Sequence, residues 1–289
     1  MGSLAAIDYS KVKLVIFDLD GTLYEDDDHF EYYAEQLKHR LPEHLQASFS
    51  NDYNQAKDGK LPLQIGRVYD QQKDWIFVQK AGEIEEVYDW KGDAVDTPEW
   101  QRVYGEGWQI DFERIFSIGD SWWIPNAIAR HYGLGADKSH EAFIATRELM
   151  MKPEFRIAQI PRLAETIQKL QSEYGWITVL MTNSPEIDSR VILQKLGLES
   201  YFAKFIFRAR KPVRTKEIVQ SLSEQFHVGY SKILSIGDNL INEILPVIQL
   251  GGQGIHINIG KISEEFLEPA PRVDSMTEII EDLEKRHLI

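Results

Sequence analysis

Leu14-Val15-Ile16-Phe17-Asp18-Leu19-Asp20-Gly21-Thr22 is the stretch on which the fold of this 289-residue chain turns. Four apolar residues in a row, closed by a polar turn, are too few for an amphipathic helix. They read as a strand buried on both faces of a parallel sheet. In doubly wound sheets ligands bind just beyond the carboxyl ends of the strands. Asp18 and Asp20 stand at such an end, spaced i and i+2, where the strand opens into a glycine turn. Both carboxylates can therefore face one site.

Working outward, four more strand-length apolar runs follow: 176–181 (WITVLM), 202–207 (FAKFIF), 232–237 (KILSIG) and 254–259 (GIHINI). Stretches with helical apolar spacing separate several of them, such as 160–175, which ends in Gly175, and 215–226. Strand, helix and strand in alternation predict an α/β fold with a Rossmann-like parallel sheet. Between residues 25 and 152 the alternation stops. That segment is polar and aromatic, carries six of the seven tryptophans, and has helical patterning in stretches such as 139–150. It holds 25 acidic against 14 basic residues, or −11 of the chain's −14. The expected organisation is a core of 1–24 and 153–289, with a large, mainly helical insertion at 25–152, long enough to fold as its own domain.

Three further segments fall at the ends of later strands. Thr182-Asn183-Ser184 closes the second and offers a hydroxyl and backbone N–H groups to an anionic oxygen. Lys211-Pro212 follows the third, among Arg208, Arg210, Arg214 and Lys216, the most basic neighbourhood of an acidic chain. Asp238 and Glu243 follow the fourth and bring two more acids to the same sheet edge.

In order, strand context and spacing these four segments resemble the four motifs of the haloacid dehalogenase superfamily, over about half the chain. The resemblance implies a HAD-like core with the insertion as a cap of the C1 position. It implies Mg²⁺ held by Asp18, the backbone carbonyl of Asp20, Asp238 and Glu243, since Mg²⁺ takes hard oxygen ligands. It further implies that Asp18 attacks phosphorus to give an aspartyl-phosphate. Thr182, Asn183 and Lys211 would bind the phosphoryl group, and Asp20 would act as general acid and base. Glu243 is a departure, because the family more often has Asp there; its longer side chain can reach the metal through water or pair with Lys211. Relatives that cleave carbon–halogen bonds lack the second Asp. Asp20 thus points to hydrolysis of a small organic phosphate monoester, with a phosphomutase, or a silent member using its acidic insertion to bind a protein, as the alternatives.

Composition narrows the classes. A net charge of −14 argues against a nucleic acid polymer or an anionic membrane as partner. No cysteine is present, which excludes disulfides, thiolate metal sites and cysteine nucleophiles and fits a reducing cytoplasm. The opening MGSLAAIDYS lacks the apolar stretch of a signal peptide, and no run is long enough to span a bilayer. Ser117-Ile118-Gly119-Asp120 nearly repeats 235–238, yet no acid follows at the required distance, so it reads as structural. The tryptophans read as the insertion's own core, Asp26-Asp27-Asp28 as a solvated hinge, and 251–254 as a turn.

Overall fold

The computed structural model describes residues 4–80, 83–111, 113–258 and 270–289. Counting these, the chain divides into two compact units, one of 4–26, 150–258 and 270–289, the other of 27–80, 83–111 and 113–149.

The first unit is built on a six-stranded sheet. Its strands are β1 (Leu14–Phe17), β6 (Ile177–Met181), β7 (Lys204–Ile206), β8 (Ile233–Gly237), β9 (Gln253–Ile257) and β10 (Arg272–Val273), in the order β10-β9-β8-β1-β6-β7. Every pairing is parallel. β1 lies between β6 and β8, with Leu14 opposite both Ile177 and Ile233, and all four of its residues are buried. That double burial is why the run shows no polar alternation. On one face Leu14, Ile16, Val179 and Met181 meet Ile218, Val219 and Leu222 of the helix α8 (Thr215–Phe226).

The five strand runs expected from the sequence each overlap an observed strand, with ends that differ by up to two residues, β9 beginning before its expected run; residue 259, the expected end of the last, lies outside the described residues. β10 has two residues, too few for a pattern to show. Helix α6 (Leu163–Tyr174) stops where Gly175 takes a left-handed φ of 65°. Because the strands are parallel, Phe17, Met181, Ile206 and Gly237 all end at one edge of the sheet.

In the second unit lie α1 (Asp28–Lys38), α2 (Glu43–Lys57), α3 (Thr97–Tyr104), α4 (Trp123–His131) and α5 (Ala136–Met151, its last two residues falling to the first unit). Beside these helices stands an antiparallel sheet that is not among the expected elements: β2 (Val68–Asp70), β3 (Trp75–Lys80), β4 (Glu83–Asp89) and β5 (Ile115–Ser117), ordered β4-β3-β2-β5. Two of its strands have three residues, and edge strand β4 carries Glu83, Glu85 and Glu86, a type depleted in strands. Charged residues on an edge deter pairing with other chains. All six tryptophans of the unit pack into apolar clusters, with Trp90, Trp122 and Trp123 in one and Trp75, Trp100 and Trp108 in another. Asp120 accepts from the backbone N–H of Trp122 at 3.0 Å and opens α4. Among the described residues no helix is long and apolar enough to cross a membrane.

Candidate active site

Asp18 continues the ladder of β1, its N–H donating to Ile236 O at 3.1 Å, and the chain then turns sharply. Two N–H groups, of Thr22 and Leu23, donate to Leu19 O and close that turn. Gly21 sits at φ 71°, and a Cβ there would come within 2.4 Å of Asp238 Oδ2. Only glycine allows both the left-handed backbone and this approach. Asp238 follows β8, and its carbonyl oxygen lies 2.8 Å from Nε2 of the buried His256 on β9.

Lys211 is the centre of the constellation. Its Nζ donates to Asp18 Oδ1 at 2.6 Å and to Glu243 Oε1 at 2.6 Å. All three side chains are buried, with Asp18 7%, Lys211 2% and Glu243 3% exposed. Glu243 Oε2 accepts from the N–H of Asn239 at 3.2 Å. It stands in a single π-helical turn, Leu240–Ile244, opened by the side chain of Asn239 accepting from Asn242 N. Such turns widen a helix locally and are frequent at functional sites. Here the turn folds Glu243 back over Gly237, where a Cβ would sit 1.8 Å from Oε2. The unusual glutamate thus reaches Lys211 directly.

Burial sets the electrostatics. It raises the Asp18 carboxyl; Lys211 pulls it back down, and neighbouring Asp20 pushes it further up. Glu243 is pushed up to about 8 by burial and by Asp18, against the pull of Lys211. Burial works against the Lys211 ammonium, but the two carboxylates outweigh it and raise it above its ordinary range. One cation is shared by two buried acids, with Asp238 beside them. Oxygens of Asp18, Asp238 and Glu243 all lie within 4.8 Å of one another. Three converging carboxylates with a single ammonium leave excess negative charge, and their hard oxygen donors fit a divalent cation such as Mg²⁺.

Thr182 is buried, and its Oγ1 accepts from Ser184 N at 3.0 Å. Asp20 is gripped on both oxygens: Tyr24 OH donates to Oδ1, and Ser184 Oγ donates to Oδ2 at 2.9 Å. Neither Tyr24 nor Ser184 stands out in the sequence as a site residue, and nothing there singles out His256.

The sequence signature of the haloacid dehalogenase-like hydrolases matches residues 12–251. The chain belongs to this family. A curated relative of the hydrolase, a phosphoglycolate phosphatase from Agrobacterium fabrum (strain C58), is 27% identical over 175 residues, 59% of this chain and 69% of its own length. Two solved structures share the fold. The candidate HAD hydrolase YfnB of Bacillus subtilis, bound to magnesium, is 15% identical with a TM-score of 0.50, over 94% of this chain and 99% of its own. A candidate phosphatase from Clostridium difficile is 18% identical with a TM-score of 0.51, over 94% and 98%.

Asn183, expected to bind substrate, spends its side chain on Lys211. Its Oδ1 accepts from Lys211 N at 2.7 Å and its Nδ2 donates to Lys211 O at 3.2 Å. This amide-to-backbone clamp seats the lysine of the hydrolase from an exposed position. Asn183→Ala should cost about 1 kcal/mol of stability, the usual net worth of such bonds. A lysine seated less firmly should also lower kcat, by about tenfold. Urea titration and steady-state kinetics check the two, and unchanged values in both would remove the clamp from the site.

Proposed function

We propose that this hydrolase is a magnesium-dependent phosphatase acting on small organic phosphate monoesters through an aspartyl-phosphate on Asp18. The observation that carries the reading is the buried Lys211 bridging Asp18 and Glu243 with Asp238 alongside. Asp18, Asp238 and Glu243, with the backbone carbonyl of Asp20, are the residues that would hold Mg²⁺. When bound, the ion supplies positive charge that lets an anionic carboxylate approach an anionic phosphate. Direct pairing with Lys211 makes Glu243 a counter-ion as well as a metal residue.

In the first step the Asp18 carboxylate forms a bond to phosphorus and the bond to the ester oxygen breaks. Asp20, as the acid, gives that oxygen its proton, so the product leaves as an alcohol. Lys211 and the Thr182 hydroxyl neutralise charge spreading over the phosphoryl oxygens. In the second step a water attacks the same phosphorus and Asp20 takes the proton of the water. The bond to Asp18 breaks, which frees inorganic phosphate and restores both carboxyl groups. Asn183 serves this chemistry by seating Lys211. The basic residues around Lys211 favour an anionic substrate, and the named activity of the Agrobacterium fabrum relative makes phosphoglycolate one to try. The division of labour proposed here is chemistry in 1–24 and 153–289, with 25–152 as the cap. The lack of cysteine supports a reducing compartment, the cytoplasm.

The test is phosphate release from a panel of sugar phosphates, nucleotides, phosphoglycolate and 4-nitrophenyl phosphate, with magnesium and with chelator. Turnover that chelator abolishes and magnesium restores is the expected result. Turnover unaffected by chelator would overturn the metal assignment. A need for a bisphosphate activator would instead make the protein a mutase, and silence on the whole panel would favour a binding role.

A further inference from the structure

We infer that Tyr24 and Ser184 are positioning residues that fix the plane of the Asp20 carboxyl group for proton transfer. The inference rests on the reading of Asp20 as general acid and base. Tyr24 is fully buried, and its hydroxyl donates to Oδ1 of Asp20. A backbone bridge also ties Asp20 to Tyr24 and holds the two residues side by side. Ser184 donates from Oγ to the other oxygen, Oδ2, at 2.9 Å.

A carboxyl group with one donor still turns about its Cβ–Cγ bond; donors on both oxygens fix its plane. Each carboxylate oxygen has two lone-pair sites. Donors on both oxygens therefore orient Asp20 for the proton it must move.

Ser184 is itself held from three sides. Its N–H donates to Thr182 Oγ1 at 3.0 Å, its carbonyl accepts from Arg208 N at 3.1 Å, and its side chain is buried. The hydroxyl that orients Asp20 and the hydroxyl assigned to the phosphoryl group thus belong to one rigid turn at the end of β6. Acid and phosphate are registered against each other through two residues of chain. Misplacement by an ångström is enough to impair a proton transfer.

The readout that separates positioning from mere packing is the leaving group. 4-Nitrophenolate departs without a proton, whereas an alkoxide requires one. The experiment measures kcat/KM, which covers steps through departure of the alcohol, for Tyr24→Phe, Ser184→Ala, Ser184→Thr and Asp20→Asn. Each is assayed on 4-nitrophenyl phosphate and on the best alkyl phosphate of the panel. Asp20→Asn should lose at least about 100-fold on the alkyl ester and far less on the aryl ester. Tyr24→Phe and Ser184→Ala should follow the same pattern more weakly, about tenfold on the alkyl ester and within about twofold on the aryl ester. Ser184→Thr keeps the hydroxyl and should restore the alkyl rate. Equal losses on both esters, or none, with Asp20→Asn still selective, would overturn the inference alone. An Asp20→Asn variant without selectivity would overturn the reading of Asp20 and the inference with it.

Discussion

Asp18→Asn should lower phosphate release by about three orders of magnitude or more while leaving the protein folded. The carboxylamide has nearly the shape of the carboxylate but no charge and no nucleophilic oxygen, so the covalent step is lost altogether. Stability should move the other way. Asp18 is 7% exposed and its carboxyl is raised by burial, so the ionised group is held at a cost. Lys211 offsets part of that cost with a 2.6 Å bond, yet it serves Glu243 at the same distance. In Asp18→Asn the amide oxygen can still accept from Lys211, Glu243 keeps its counter-ion, and one buried negative charge is gone. The expected melting temperature in chelator is equal to that of the unmodified protein or higher. Residues placed for chemistry commonly cost stability in this way. Phosphate release and thermal denaturation of the same preparation check both halves. Retention of a tenth of the turnover would exclude Asp18 as the nucleophile.

How much of this was legible in the sequence depends on the residue. The sheet was legible because its strands are buried on both faces and so are written as unbroken apolar runs; Leu14–Phe17 is the plainest case. The gathering of Asp18, Lys211, Asp238 and Glu243 was legible because Asp18 and Asp238 follow directly after β1 and β8, Lys211 and Glu243 lie in the segments that leave β7 and β8, and parallel strands deliver their ends to one edge. What the sequence could not carry was the side-chain pairing inside that edge. Asn183 looks like a substrate contact because it adjoins Thr182, but its amide faces the backbone of Lys211, 28 residues on. Ser184 and Asp20 are separated by 164 positions, and no local pattern announces a bond between them. The antiparallel sheet of the insertion was missed for a different reason. Two of its strands, β2 and β5, have only three residues each, and the glutamates of β4 resemble a solvated helix or loop.

Lys211→Met should be the most destabilising change at the site. Methionine matches the length of the lysine stem and fills its volume, so packing is nearly conserved and the effect isolates the ammonium. What remains is two buried carboxylates, Asp18 and Glu243, that had shared one cation. Removing one partner of a buried pair costs about 3–5 kcal/mol, because the charge left behind has neither water nor counter-ion. The group that relieves the strain is identifiable. Glu243 is already pushed up to about 8, and loss of the downward pull of Lys211, which leaves that of the Asn239 N–H, moves it further toward the neutral acid. The double variant Lys211→Met with Glu243→Gln should therefore regain most of the lost stability, since the glutamine carries no charge. Activity should not follow. The phosphoryl oxygens still lack the ammonium, and turnover should stay at least about 100-fold down in both variants. Urea titration in chelator and phosphate release in magnesium separate these outcomes. A single variant as stable as the unmodified protein would mean that the bridge between Asp18 and Glu243 does not form in solution. Recovery of stability without recovery of turnover would place Lys211 in both roles, as the counter-ion that lets two acids be buried together and as the cation that receives the phosphate.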